Sequence, residues 1–186
     1  MIATTFIFVF WLIFIVYWAI SAVGVKRDIK MKPNWTEYIV RLVAFLLLIW
    51  ILVTQPALLN WGQAFFLNPW TQWIGVIFCG IGIVFTIWAR MHLGKNWSGI
   101  PKLKENHELV IMGPYRFVRH PIYTGVILAL IGSALAGGIA WVLICLVFSV
   151  MFIGRVSVEE KLMQHQFPNQ YPEYKKRTKA LIPFIF

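Results

Sequence analysis

Apolar positions in this chain fall in long unbroken runs, not at the period of 2 or 3.6 that marks an element half-exposed to water. Three stretches, residues 1–25, 42–89 and 121–154, contain no Lys, Arg, Asp or Glu. A helix crossing the hydrocarbon core of a bilayer needs about 20 mostly apolar residues, so the first two runs predict spans at about residues 2–23, 38–59 and 70–89. The third run is 34 residues long and is interrupted near its centre by Gly137-Gly138. It is too long for one span and predicts two short ones, at about 121–136 and 139–154, joined by a tight turn. The expected fold class is therefore all-α, an integral membrane bundle of about five transmembrane helices forming a single domain over residues 1–186. The first span has neither the basic leader nor the small-residue cleavage site of a signal peptide and is read as retained.

Charge sharpens this picture. The chain carries 17 Lys and Arg against 7 Asp and Glu, yet only 13% of residues are charged, where a soluble domain has about a quarter. All charges fall in three clusters, Lys26 to Arg41, Arg90 to Arg119 and Arg155 to Lys179. Basic residues flanking apolar spans mark the cytoplasmic face and attract anionic lipid headgroups. The net charge of +10 thus points to a membrane surface and not to nucleic acid. With five spans, the N-terminus lies outside, while the loop 90–120 and the segment 155–186 face the cytosol. Cys79 and Cys145 both lie in apolar runs and read as packing residues.

Two cytosolic segments carry candidate chemistry. In the first, Arg119-His120-Pro121-Ile122-Tyr123 spans the junction of loop and fourth helix. Proline is favoured in the first helical turn, so His120 falls near the cap and Tyr123 on the first turn. The free N–H groups and positive dipole end there suit an anionic group. Gly113-Pro114-Tyr115 is a turn that brings Tyr115 beside the same junction. Arg119 is either a headgroup anchor or a ligand contact. In the second segment, Arg155 and Glu159 are four residues apart and share one helix face. They form either a surface ion pair of small worth or a functional pair at membrane depth. His92 and His165 lack ligand-type partners at metal spacing, and no metal site is expected. Trp11, Trp50 and Trp88 read as span and interface residues.

His107-Glu108-Leu109-Val110, Gly113 through Gly125, Arg155, Glu159-Glu160 and Tyr171-Pro172-Glu173-Tyr174-Lys175-Lys176-Arg177 occur in order over the C-terminal half. This set resembles the isoprenylcysteine carboxyl methyltransferase family and its prokaryotic relatives, which are related to phospholipid methyltransferases. The resemblance implies an S-adenosyl-L-methionine-dependent methyltransferase whose cytosol-facing cofactor pocket is formed by the loop and the C-terminal helix. It places cofactor contacts at His107, Glu108, Leu109, Val110, Tyr115, His120, Pro121, Ile122, Tyr123 and Glu159. It assigns Arg155 to the methyl acceptor, with Arg119 in support, as the catalytic pair.

The expected partner is a lipid or hydrophobic small-molecule acceptor, or a prenylated cysteine, entering sideways between helices in a prokaryotic cell membrane. Three other readings stand beside this one. A phospholipid N-methyltransferase would need a base to take a proton from its amine, a role for Glu159 or Glu160. An NADPH-dependent membrane reductase of related helical arrangement would use Lys95, Lys102 and Lys104 for the 2′-phosphate. A small transporter or scaffold would line its path with intramembrane polar residues, of which the uncharged stretches hold few.

Overall fold

The computed structural model of the chain describes residues 2–22, 63–66, 68–97 and 108–183, together with positions 36, 39, 43 and 47. The predicted second span and the site residue His107 fall largely or wholly outside these. Among the described residues every regular element is helical. They comprise α1 (Ile2–Ser21), a single turn at Gln63–Phe66, α2 (Pro69–Leu93), α3 (Pro121–Gly137), α4 (Ile139–Gln166) and α5 (Gln170–Arg177), with 3-10 turns at Gly94–Asn96 and Gly113–Arg116. Three of these helical segments, Ile2–Ser21, Pro69–Asn96 and Ile139–Gln166, are long and apolar enough to cross a membrane, and Pro121–Gly137 is a shorter apolar helix.

The helix limits follow from local chemistry. Asn68 opens α2 by accepting the backbone N–H of Trp70 at 2.9 Å, with Pro69 in the first turn. Gly94, at φ +51°, closes it, a left-handed backbone that glycine adopts without a Cβ penalty. The turn between α3 and α4 lies at Gly138, whose φ is +88°. The sequence placed the end of the last span at about residue 154, but α4 runs unbroken from Ile139 to Gln166. Residues 155–166 contain no glycine or proline, and Arg, Glu, Lys, Leu, Met and Gln are good helix formers. The return of charge at Arg155 changes the helix's surroundings, not its backbone.

The helices meet by close backbone approach. Gly75 and Gly82 on α2 face Gly125 and Gly132 on α3, and a Cβ added at Gly82 would lie 2.5 Å from the Gly125 carbonyl oxygen. Small residues of this kind allow helices to pack where no hydrophobic gain against lipid is available. α1 lies across this pair, burying Ala3 and Ile7 against Val76, Cys79 and Ile83 of α2 and Ala129 and Ala136 of α3. After α5 the chain returns beside the entry to α3. Arg119 N–H donates to the Lys179 carbonyl at 2.8 Å, and His120 N–H to the Ala180 carbonyl at 3.0 Å. Thr124 Oγ1 donates to the Leu181 carbonyl at 2.6 Å. The tail residues Ala180 and Leu181 are buried with Val156 beneath Tyr123. The His120–Tyr123 junction is therefore held from both sides.

Candidate active site

Tyr123 organises the site. Two residues into α3, its ring stacks on His120 (centroids 5.6 Å apart, planes 2° apart) and on Phe152 of α4 (4.4 Å, 8°). Its hydroxyl donates to Glu159. Glu159 Oε2 also lies 3.4 Å from His120 Nδ1, and its Oε1 lies 3.2 Å from Arg155 Nη2. The Arg155 guanidinium carbon stands 5.7 Å from the Tyr123 ring centroid. A carboxylate, an imidazole, a phenol and a guanidinium thus converge from two helices.

The neighbouring carboxylate does something else. Consecutive helical residues point to different sides, and Glu160 turns away to Arg119, whose Nη2 and Nε both lie 2.7 Å from Oε1. Lys175 Nζ reaches its other oxygen at 2.6 Å. Arg119 also donates to the Thr178 carbonyl. Tyr174 OH donates to the Tyr115 carbonyl at 2.6 Å, which completes a tie between α5 and the 3-10 turn. Glu160 and Arg119 therefore hold the tail in place, while Glu159 faces the cavity.

His120 sits between the two carboxylates, its Nε2 being 3.8 Å from Glu160 Oε1. Burial opposes its charge, but hydrogen bonding and attraction from Glu159 and Glu160 outweigh that and hold its pKa above the ordinary 6.5. A raised pKa means the folded chain binds this proton more tightly than the unfolded one. The stabilisation is complete below pH 6.5 and is lost as pH rises through the folded value. The difference in thermal unfolding temperature between the native protein and His120→Gln is therefore expected to be largest near pH 6 and to shrink in alkali. A difference constant with pH would leave His120 a packing role only.

These groups open on a cavity of about 670 Å³. Of the residues singled out in the sequence, Glu108, Leu109, Val110 and Tyr115 line it, as do Arg119, His120, Ile122, Tyr123, Arg155 and Glu159. Pro121 does not; it is buried in the first turn of α3, where it sets the helix start. Together with Leu162, Met163, Tyr171 and Tyr174, the first four form a mixed chamber, in which Glu108 and three tyrosines stand among Leu, Val and Met side chains. On the other side of Tyr123 and Phe152 the cavity continues as an apolar shaft between α1, α3 and α4. That shaft includes Phe14, Trp18, Leu130, Ile144 and Phe148, with Trp11 and Trp141 at its end. The sequence reading missed it, taking Trp11 for an ordinary span residue. A signal was present: Trp11, Phe14 and Trp18 recur at helical spacing on one face, as do Phe148, Phe152, Arg155 and Glu159.

A membrane bundle, helical in every described element, with a carboxylate, imidazole and guanidinium cluster at one end of an apolar shaft is the class of protein these features define. Residues 70–170, more than half of the chain, match the phospholipid methyltransferase family model, and the chain belongs to that family. It is 28% identical over 120 residues to protein-S-isoprenylcysteine O-methyltransferase B of Arabidopsis thaliana, covering 62% of this chain and 61% of that protein. The Saccharomyces cerevisiae protein-S-isoprenylcysteine O-methyltransferase is 36% identical over 106 residues, 54% of this chain and 44% of the yeast protein. A solved structure of the eukaryotic intramembrane Ras methyltransferase, isoprenylcysteine carboxyl methyltransferase, superposes with a TM-score of 0.58 at 26% identity. That match covers 83% of this chain and 55% of that one. The chain thus spans about 61% of the length of the plant relative and less of the others.

Proposed function

We propose that this chain is an S-adenosyl-L-methionine-dependent methyltransferase that methylates a carboxylate on a hydrophobic or lipid-linked acceptor at the membrane. The observation that carries this reading is the placing of Arg155 and Glu159 in one cavity between a tyrosine-lined chamber and an apolar shaft. The residues present fit the cofactor. Glu159 offers a carboxylate for a cationic amino group, and the first turn of α3 offers N–H groups for a carboxylate. Leu109, Val110 and Tyr115 offer flat apolar and aromatic surface.

When bound, S-adenosyl-L-methionine supplies an electrophilic methyl group on a sulfonium. What remains for the protein is orientation of the two reactants, since an in-line displacement depends on geometry. Tyr123 and His120 hold Glu159 in one position, and Phe152 walls the passage on the shaft side. Arg155 presents a planar donor fork suited to a carboxylate. A carboxylate acceptor is already deprotonated, so no general base is required. An amine acceptor would need one, and in this reading Glu159, the carboxylate that lines the cavity beside Arg155, is taken by the donor's amino group. The acceptor is placed with its apolar part in the shaft, and a prenylated cysteine, as named for the plant and yeast relatives, is one such molecule. The tyrosine-lined chamber faces the cytosol in this reading.

Thermal unfolding of the protein in mild detergent tests the donor. S-Adenosylhomocysteine at a hundredfold excess over Kd is expected to add about 2.7 kcal/mol of apparent stability, and Glu159→Ala to remove most of that gain. Stabilisation by NADPH alone would overturn the reaction class.

A further inference from the structure

The apolar shaft has a built end. Trp11 of α1 stacks on Trp141 of α4, with centroids 6.0 Å apart and planes 15° apart. Its indole N–H donates to Ser133 Oγ of α3 at 2.9 Å. Ser133 is fully buried and in turn donates to the Ala129 carbonyl at 2.8 Å. Phe14 braces Trp11 edge-on at 5.4 Å. The half-buried indole is tied by this bond to a fully buried hydroxyl, which favours one orientation of the ring. Among the described residues, nothing on α1 before Trp11, on α3 beyond Leu130 or on α4 before Trp141 lines the cavity. Three helices therefore place its limit at the same depth.

We propose that this Trp11–Ser133–Trp141 plate is a length gauge: it admits a single-chain amphiphile with an anionic head at Arg155 and limits the chain that can lie behind it. Fourteen residues of α4 separate Trp141 from Arg155, a rise of about 21 Å at 1.5 Å per residue. Thirteen residues separate His120 from Ser133 along the other wall, which gives about 20 Å. Subtracting roughly 3.5 Å for contact with the ring face leaves ~17 Å. An extended chain with bonds of about 1.5 Å advances about 1.3 Å per carbon, so ~13 carbons fit. Longer chains must displace a hydrogen-bonded and stacked pair.

The inference rests on the reading that the cavity takes an anionic, lipid-like acceptor, and its test separates the two. Saturated fatty acids of increasing length are added to the purified protein in mild detergent, and the unfolding temperature is recorded for each. Stabilisation is expected to rise to about 13 carbons and then fall, and Trp141→Ala to move the maximum about 3 carbons longer, the roughly 3.5 Å of ring contact released at about 1.3 Å per carbon. Ser133→Ala, which removes only the anchor of Trp11, is expected to flatten the fall beyond the maximum. A maximum unchanged in both variants, or no dependence on length in the native protein, overturns the gauge. S-Adenosylhomocysteine is read in the same samples. A variant that no longer responds to it is scored as misfolded, and Ser133→Ala then decides. A gauge without that response in the native protein defeats the donor reading alone; the response without a gauge defeats this inference alone.

Discussion

Arg155→Ala is expected to lower kcat by on the order of 10²-fold, the loss that follows when a reacting group is misplaced by about 1 Å. The geometry explains why the loss should fall on turnover. Arg155 sits one helical turn from both Glu159 and Phe152, at the boundary between chamber and shaft. Without its guanidinium, Glu159 keeps its bonds to Tyr123 and His120, so the donor chamber retains its carboxylate. The acceptor loses the group that holds its head in line. S-Adenosylhomocysteine should therefore stabilise the Arg155→Ala protein nearly as well as the native one. Arg155→Lys keeps the charge and loses the fork, and is expected to recover only part of the rate. Equal losses of turnover and of S-adenosylhomocysteine affinity would instead mean that Arg155 acts by shaping Glu159, and the acceptor role would fall. A raised KM at constant kcat would point to uniform binding of the acceptor's head.

How much of this was legible in the sequence varies from residue to residue. The confinement of charge to three clusters is a direct consequence of the cost of charge in lipid, so the helical membrane class could be read without a structure. The Arg119 to Tyr123 junction was legible because Pro121 can stand only near a helix start. The distinct duties of Glu159 and Glu160 were not. Adjacent carboxylates look alike in a sequence, and only the rotation of about 100° per helical residue, set against what surrounds α4, separates them. The continuity of α4 through Arg155 was hidden for a related reason: polarity reports the solvent, while the backbone responds to glycine and proline. The apolar shaft was hardest to see. Trp11, Phe14 and Trp18 share one helix face, which hints at a common surface, but that spacing is the same whether the face meets lipid or a cavity. His107 lies outside the described residues, and its expected contact stays with the proposal.

Arg119 raises the sharpest question of role, because the sequence suggested a support for the acceptor and the geometry adds a different duty. Its side chain is 8% exposed and that of Glu160 is 10% exposed, so neither charge has bulk water to fall back on. Removing one member of a buried pair strands the other and typically costs about 3–5 kcal/mol, whereas an exposed pair costs about 0–1. Arg119→Ala is expected at the upper of these, read as a fall in the unfolding free energy in detergent. Lys175, half-exposed at 46%, remains beside Glu160 and will soften the loss a little. The double substitution Arg119→Met with Glu160→Leu leaves no orphaned charge and should be markedly less destabilising than Arg119→Ala. Turnover separates the two roles. If Arg119 works by holding the tail carbonyls and α5 against the entry to α3, the double variant, assayed well below its unfolding temperature, should keep most of its kcat. If Arg119 also acts on the acceptor, kcat should stay depressed even though the fold is restored. The first outcome is expected. Arg119 already spends its donors on Glu160 and on the carbonyls of Thr178 and Lys175, which leaves Arg155 better placed to meet a substrate.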